Sequence, residues 1–274
     1  MLTSLAIQWD VNPDAFVLGP FHVRFYGLMF LSAFSIGTYI FWHIIKHEGL
    51  SPSLLIQLLN VVFLSTFIGA RIGDCLFYNS EYYLAHPIEI LFPFSNGKFS
   101  GFQGLSSHGA AIGLLAGLFL FSRSINLSYI WLLDRIVIVI ALAGFFIRIG
   151  NLMNSEIYGR VTNLPWGFIF VNKGEILPRH PTQLYEALAY LSVFFILGVL
   201  YLKKSNKLHA GVLLSLFLLL TFTFRFLIEY IKEPLVPIDT NTTLNIGQIL
   251  SLPFIFIGAF VLMVAVMRGD IKKV

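Results

Sequence analysis

Residues 144–160 read Gly-Phe-Phe-Ile-Arg-Ile-Gly-Asn-Leu-Met-Asn-Ser-Glu-Ile-Tyr-Gly-Arg, and they continue an apolar run that begins at Ile136. An arginine, two asparagines and a glutamate therefore lie near one end of a long apolar segment. An arginine at the centre of a membrane helix costs about 3 kcal/mol on insertion scales, so such residues usually face a cavity or a ligand. This stretch predicts a membrane helix that ends at a polar site.

The composition indicates a membrane protein. Of the 274 residues, 57% are hydrophobic and only 12% are charged, whereas an ordinary globular chain is about 25% charged. Because about 20 mostly apolar residues cross a bilayer, the apolar runs predict an all-α polytopic fold with seven transmembrane helices in a single membrane-embedded domain, 1–274. The predicted bounds are 22–44, 53–77, 108–122, 129–152, 184–202, 209–231 and 246–267.

The basic residues sort by loop, which predicts an orientation. With the N-terminus outside, most acidic residues of the connecting segments face outward and most basic residues face inward. The positive-inside rule then places the C-terminus in the cytoplasm. This sorting accounts for the net charge of +4 without a nucleic-acid partner. The inward basic residues are Lys46, Arg123, Lys203, Lys204, Lys207, Arg268, Lys272 and Lys273.

Two outward segments are long. Residues 78–107 are rich in turn residues. In residues 153–183, an apolar run from Trp166 to Val171 is followed by Asn-Lys-Gly and then by Glu-Ile-Leu. Two short apolar runs around such a turn are typical of a β-hairpin. We therefore expect a small periplasmic hairpin here.

Three arginines are expected at a similar depth on the outer side. Arg71, Arg148 and Arg225 fall in the outer portions of the second, fourth and sixth predicted spans. Planar guanidinium groups bind phosphate oxygens in pairs, so this set suits a phosphate. The alternative is that each arginine pairs with a carboxylate and only holds helices together. The carboxylates within reach are Asp74, Glu156 and Glu229.

Other polar residues have both a functional and a structural interpretation. His108 opens the third predicted span among small residues; histidine suits a general base, but at a helix start it is more often a structural group. Tyr26 lies near the outer start of the first span, where interfacial tyrosines are common. Asn151 could bridge helices. Asp134 lies toward the other end of its span and is expected to be structural.

Three other classes of protein compete with an enzyme that acts on a phosphate-bearing lipid. A transporter needs polar residues near the midplane or an inverted repeat, whereas the polar residues here crowd one side. An intramembrane protease needs a catalytic pair, but Ser107 and His108 are adjacent and do not share a helix face. A structural assembly protein has no need of three outward arginines. The His and carboxylate spacing implies no metal.

At these residues the chain resembles the prolipoprotein diacylglyceryl transferase family. The family's central motif, Gly-Arg-x-Gly-Asn-x-x-Asn-x-Glu-x-x-Gly-Arg, matches residues 147–160 except that Ile147 replaces the first glycine. Further matches occur in family order over nearly the whole chain. They are Arg24-Phe-Tyr-Gly27, Gly69-Ala-Arg-Ile-Gly73, His108-Gly109, Arg179-His-Pro-Thr-Gln-Leu-Tyr-Glu186, Arg225-Phe-Leu-Ile-Glu229 and Leu244-Asn-Ile-Gly-Gln-Ile-Leu-Ser251.

The chain departs from the family pattern at three further positions. Ala110 stands where a second glycine usually follows the histidine, and Thr221 stands where a tyrosine is common. Lys232 replaces a further arginine. Because lysine lacks the planar fork of arginine, the last change bears most directly on how a headgroup is held.

The resemblance implies a bacterial inner-membrane transferase whose active site lies toward the outer leaflet. Its activity would transfer the sn-1,2-diacylglyceryl group of phosphatidylglycerol to the lipobox cysteine of prolipoprotein signal peptides, without a cofactor. The implied catalytic residues are Tyr26, His108, Arg148, Glu156, Arg225 and Glu229. The implied phosphatidylglycerol-binding residues are Arg71, Arg148, Asn151, Gly159, Arg160 and Lys232. Glu156 and Glu229 are expected to orient the guanidinium groups. Whether His108 or the arginines generate the cysteine thiolate stays open.

Overall fold

The computed structural model describes residues 6–77, 80–91, 94–95, 98–99, 106–204, 208–233 and 244–268. These residues form two compact units. The first unit comes from Met1–Phe41 and Leu133–Lys272, and the second contains Trp42–Leu132.

Long helices dominate the described residues. Seven helices have 18 or more residues, and each overlaps one predicted span. They are α1 (Phe25–His47), α2 (Ser53–Phe77), α5 (Ser107–Ser124), α6 (Tyr129–Met153), α7 (Thr182–Lys204), α8 (Val212–Glu229) and α9 (Ile246–Arg268). Two short helices, α3 (Ser80–Ala85) and α4 (Ile88–Leu91), follow α2.

Six of these helices are long and apolar enough to cross a membrane: α1, α2, α6, α7, α8 and α9. The fold is therefore that of a mostly helical, polytopic membrane protein. Helix α5 is not among the six, because its 18 residues include three glycines, a histidine near its start and an arginine in its last turn. The predicted number of seven spans thus goes beyond what helix length and composition establish.

In the second unit, α2 and α5 approach each other through glycines. A side-chain carbon added at Gly69 would collide with the backbone of Gly109, and one added at Gly73 would lie 2.5 Å from the Cα atom of Gly109. Small residues permit this approach of two apolar helices. Ser106 caps α5 by accepting a hydrogen bond from the Gly109 amide, and its own amide donates to the Ala70 carbonyl.

In the first unit, a buried carboxylate from α6 caps the start of α8. The Asp134 side chain accepts hydrogen bonds of 2.7 Å from the amides of Gly211 and Leu214. These amides belong to the orphan donors that a helix leaves at its N-terminus. Asp134 therefore has the structural role that the sequence predicted.

Short strands accompany the helices. β1 (Ile7–Trp9) pairs in parallel with β6 (Phe168–Phe170). β2 (Asp14–Leu18) and β3 (Phe21–Arg24) form an antiparallel hairpin. β4 (Phe94–Ser95) pairs antiparallel with β5 (Lys98–Phe99). Helix α1 thus begins at Phe25, three residues later than the predicted span, because residues 21–24 complete a hairpin.

The hairpin predicted within 153–183 is wrong. The apolar run does form β6, but its strand partner is β1, more than 150 residues earlier. Asn-Lys-Gly ends a 3-10 turn, Val171–Lys173, which closes with Gly174 in the left-handed region at a φ of 72°. The tertiary reason is packing, because Trp9 packs against the buried side chains of Phe168 and Phe170.

Candidate active site

A buried carboxylate on α7 joins two cations from other elements of the first unit. Glu186 is only 1% exposed. Its Oε2 atom lies 2.8 Å from Nε of Arg148 on α6, and its Oε1 atom accepts a 3.1 Å hydrogen bond from Nζ of Lys232. An intramembrane charge is costly unless it is paired, so these contacts fix α6, α7 and the segment after α8 at one point.

Aromatic rings and an amide surround the Arg148 guanidinium. One of its terminal nitrogens donates to Oδ1 of Asn151 at 3.0 Å, and the Tyr190 ring lies against α6 at Gly144, one helical turn earlier. The Tyr26 ring lies against α6 at Gly150, where an added side-chain carbon would come 2.9 Å from the ring. The structure thus brings Tyr26 and Asn151 next to Arg148.

Glu156 reaches Arg148 only through an amide. Nδ2 of Asn151 donates to Oε1 of Glu156 at 2.8 Å, and Nδ2 of Asn154 is 3.4 Å from the same oxygen. Glu156 therefore meets Arg148 only through the Asn151 amide, and its expected role in orienting a guanidinium stays a prediction. Because the asparagine accepts from arginine and donates to glutamate, Glu156 acts on Arg148 through the orientation of that amide.

The backbone around Glu156 is held in an unfavourable conformation. Ser155 and Ile157 have φ values of 51° and 61°, a region that β-branched residues strongly disfavour. Such a residue costs about 1–3 kcal/mol and persists only where its surroundings enforce it. Here Oγ1 of Thr182 donates to the Ile157 carbonyl at 2.9 Å, and Nε2 of Gln183 donates to the Glu156 carbonyl at 2.7 Å. The first turn of α7 thus fixes the loop.

Lys232 occupies a narrow position between two carboxylates. Besides Glu186, its Nζ atom lies 3.6 Å from Oε2 of Glu229. A side-chain carbon at Gly247 on α9 would collide with the Glu229 carboxylate, so this glycine makes room for it. Glu229 therefore pairs with the lysine. Its expected role in orienting an arginine stays a prediction. The described contact is with Lys232, because the chain turns after α8 and brings the lysine back toward Glu229.

Gly159 and Arg160 hold the Lys232 segment through backbone contacts. Gly159 forms an antiparallel bridge with Lys232, and the Arg160 amide donates to the Ile231 carbonyl at 2.9 Å. A side chain at Gly159 would come 2.5 Å from that same carbonyl and 2.7 Å from the Cβ atom of His180. The glycine is thus required for close packing, while the Arg160 side chain is exposed.

The three arginines of the predicted set have different surroundings. Arg148 has a carboxylate partner. In the second unit, Arg71 is buried and donates to the carbonyls of Ile90 and Glu89 at 3.1 and 3.0 Å. Arg225 is half-buried, and no hydrogen bond or ion pair joins its side chain to another described residue. It lies one helical turn before Glu229, a rise of about 6 Å along α8.

His108 belongs to the second unit. It lies in the first turn of α5 and its side chain is exposed. The cap of α5 is supplied by Ser106 and not by His108. Its predicted role as a base stays a prediction.

A second polar cluster lies beyond the membrane-spanning helices. Arg179 pairs with Glu175 at 2.7 Å and with Glu233 at 2.5 Å. The Tyr158 hydroxyl donates to Glu175 at 2.8 Å; burial, together with this carboxylate, raises the pKa of Tyr158. Burial also lowers the pKa of His180, so its neutral form is favoured. Glu233 directly follows Lys232, so this cluster anchors the lysine segment from outside.

Sequence reasoning did not single out Glu186, the residue that joins the site. It closes the motif that begins at Arg179, and it is an acidic residue inside an apolar helix. That signal alone predicts a buried partner. The sequence could not give the identity of the two partners, because neither Arg148 nor Lys232 lies on the same helix.

The fold and this cluster define a class: a polytopic helical membrane protein with a buried, carboxylate-linked cation site. A family model described as prolipoprotein diacylglyceryl transferase matches residues 13–264. The chain belongs to the prolipoprotein diacylglyceryl transferase family.

Bacterial relatives match almost the whole chain. A protein of Bacteroides fragilis is 39% identical over 261 residues, which cover 93% of this chain and 94% of the relative. A protein of Tolumonas auensis is 40% identical over 258 residues, covering 94% and 96%. A protein of Chloroherpeton thalassium is 38% identical over 274 residues, covering 100% and 99%. All three are named phosphatidylglycerol–prolipoprotein diacylglyceryl transferase.

Proposed function

We propose that this protein transfers the diacylglyceryl group of phosphatidylglycerol to the lipobox cysteine of prolipoproteins, the first step of lipoprotein maturation. The observation that carries the proposal is the similarity, over nearly the full length, to relatives named for this reaction. Its substrates are then phosphatidylglycerol and prolipoprotein signal peptides, and its surroundings are the lipid bilayer. The buried cation site of the first unit supports it independently.

The reaction forms one bond and breaks one. A cysteine thiolate attacks the glyceryl carbon that carries the phosphate, so a carbon–sulfur bond forms and a carbon–oxygen bond breaks. The bonding electrons leave with the phosphate oxygen, and glycerol-1-phosphate departs. The thiol, with a pKa of about 8.5, must lose its proton. The enzyme must also stabilise the charge on the departing phosphate, and fixed cations commonly supply the largest catalytic contribution.

Arg225 and Arg148 are the residues that we propose to bind the phosphate. Arg225 has a planar fork and no described partner, so it can accept an anion without first releasing a carboxylate. Arg148 pairs with Glu186 through Nε, which leaves part of its fork for a phosphate oxygen. Glu186 and Asn151 then set the orientation of the guanidinium, because both contact it directly.

The remaining residues of the predicted set keep supporting roles in this proposal. Lys232 supplies a point charge held by two carboxylates, and Glu229 helps to hold it. Tyr26 packs beside Arg148 and would contact the headgroup. Glu156 orients Asn151. For Arg71, Gly159 and Arg160 the proposal rests on the family resemblance, since their described contacts are structural.

His108 is proposed as the base that removes the thiol proton, with thiolate formation by the cations alone as the alternative. A general base accepts a proton from the thiol, so its contribution depends on pH. The ratio of the His108→Gln rate to the wild-type rate should therefore change with pH. A ratio that is flat with pH would remove His108 from this role.

The proposed setting is the inner membrane of a bacterium, with seven spans, the N-terminus outside and the C-terminus in the cytoplasm. Helix α5 would be the seventh span, since α2 and α5 pack closely along their glycines. The sorting of basic residues supports the orientation. The active site would then face the outer leaflet, because the polar ends of α6 and α8 lie on that side. Reactivity of single engineered cysteines in inward and outward loops toward a membrane-impermeant reagent tests this arrangement.

The direct test uses purified protein, labelled phosphatidylglycerol and a lipobox peptide. Wild type should give a lipid-shifted peptide and release glycerol phosphate. Arg225→Ala is the sharper variant, since Arg148→Ala would also leave Glu186 without its cation. We expect Arg225→Ala to abolish transfer and Arg225→Lys to restore only part of it, because lysine keeps the charge but not the fork. Arg123→Ala, an exposed arginine at the end of α5, is the matched control. Wild-type transfer by Arg225→Ala would reject the phosphate role, and no transfer by wild type would reject the function.

A further inference from the structure

The hairpin formed by β2 and β3 has one apolar face. Its register places Phe16 beside Val23 and Leu18 beside Phe21. Side chains alternate between the two faces of a strand, and cross-strand partners share a face. These four apolar side chains therefore lie on the same side of the hairpin.

The opposite face carries the charged groups of the hairpin beside one apolar residue. It contains Val17 and His22, which are paired across the strands. Nδ1 of His22 lies 2.7 Å from a carboxylate oxygen of Asp14, and Nε of Arg24 lies 3.6 Å from the other oxygen. The hairpin is thus amphipathic, with a charged network on one side only.

The apolar face is open in the isolated chain. Phe16, Leu18 and Phe21 are 49%, 62% and 72% exposed. A two-stranded hairpin is marginally stable in water by itself, and a cluster of large exposed apolar side chains usually marks a contact surface. This face therefore calls for a partner.

The position of the hairpin relative to α1 identifies that partner. Helix α1 has 23 residues and is about 34 Å long, slightly more than the ~30 Å hydrocarbon core. Its first residue, Phe25, therefore lies at the membrane interface if α1 crosses the bilayer. The Phe25 amide donates to the Pro13 carbonyl at 2.9 Å, which ties the hairpin to the helix start. Since a chain extends at most about 3.4 Å per residue, Phe21 lies within about 14 Å of Phe25.

We propose that the apolar face of the β2–β3 hairpin lies in the boundary between lipid headgroups and acyl chains, with its polar face toward water. The arrangement matches that of interfacial amphipathic elements, which bury one apolar face at this depth. Arg24, exposed and directly before α1, lies where a lipid phosphate would meet it. The proposal depends on the hairpin and α1, and not on the transferase activity.

Adjacent residues with equal exposure provide the test. Phe16 is 49% exposed and Val17 is 53% exposed, yet they lie on opposite faces. The variants Phe16→Cys and Val17→Cys, each labelled at the new cysteine with a bimane fluorophore, are reconstituted into phosphatidylglycerol-containing vesicles. The native Cys75 is completely buried, so wild type treated with the same fluorophore serves as the blank. Fluorescence is quenched by iodide from the water and by nitroxide-labelled lipids from the bilayer.

We expect a several-fold lower iodide quenching constant at position 16 than at position 17, and the reverse order with nitroxide lipids. Equal iodide quenching at both positions would overturn the proposal, since the face would then be in water. Shielding of position 16 that arises only after a lipobox peptide is added would also overturn it and assign the face to the peptide. Phe21→Cys and His22→Cys repeat the comparison on β3, so a variant that fails to fold does not decide the result.

Discussion

Replacement of Glu186 by glutamine tests the central contact of the site. The amide is nearly isosteric with the carboxylate, but it removes the negative charge shared by Arg148 and Lys232. Because Glu186 is 1% exposed, water cannot restore the lost interaction. Breaking a buried ion pair by removing one partner costs about 3–5 kcal/mol. We expect Glu186→Gln to lower the free energy of unfolding by about this amount.

The assay is thermal unfolding of the purified protein in detergent, paired with the transfer reaction. At about 2–4 °C per kcal/mol for chains of 150–250 residues, the expected loss corresponds to a Tm lower by about 6–20 °C. Transfer should also fall at temperatures where the variant is folded, because Arg148 loses the contact that orients it. Glu81→Gln changes an exposed glutamate on α3 and should stay within about 0.5 kcal/mol of wild type.

A double variant separates charge from shape. If the lone lysine charge contributes to the destabilisation, Lys232→Met in the Glu186→Gln background should cost less than the two single changes added together. A Glu186→Gln protein with Tm within about 2 °C of wild type and unchanged transfer would refute the reasoning. Glu186 would then not hold the two cations.

Three further outcomes follow from single contacts. Gly247→Ala should reduce transfer because the added methyl group collides with Glu229. Gly198 has open space around it, so Gly198→Ala should leave stability unchanged or raise it by about 0.5–1 kcal/mol. The transfer rates and Tm values of both variants test this prediction. Asp134→Ala should lower the free energy of unfolding by about 1–3 kcal/mol, since two amides at the start of α8 lose their acceptor. Transfer by the folded fraction should be unchanged, and an unaltered Tm would contradict the predicted loss of stability. Burial lowers the pKa of His180 below the ordinary 6.5, so the unfolded chain binds a proton at this histidine more readily than the folded chain does. The free energy of unfolding should therefore fall as the pH drops below 6.5. The Tm of His180→Gln should fall less than the Tm of wild type on acidification, and equal falls would contradict this prediction.

The apolar segments were predictable because hydrophobicity along a chain is a local property. All seven predicted spans overlap a long helix. The errors lie at their ends, where short-range turns decide: α1 starts later because residues 21–24 form β3, and α8 starts later because Gly211 adopts a φ of 97°. Neither feature changes the mean hydropathy on which the spans were predicted.

The prediction that the central motif supplies a polar site at one end of α6 agrees with the contacts of Arg148 and Asn151. The roles of individual residues in catalysis stay predictions. The ion pairs of the site were harder to predict than the location of its charged residues along the chain. An acidic residue in an apolar helix needs a cationic partner, but its sequence neighbours do not identify that partner. Glu156 is the carboxylate nearest to Arg148 along the chain, yet Glu186 on a different helix contacts Arg148.

The sequence by itself determined that this chain is a membrane protein, where its helices lie and which family it resembles, because composition, apolar length and motif order are properties of the chain alone. Only the tertiary structure decided which charges meet. The packing of α6, α7 and the segment after α8 places Glu186 beside both Arg148 and Lys232, while Arg225 has no described partner. It also decided that β6 pairs with β1, since apolar side chains pack against those that the fold brings near, at any distance along the chain.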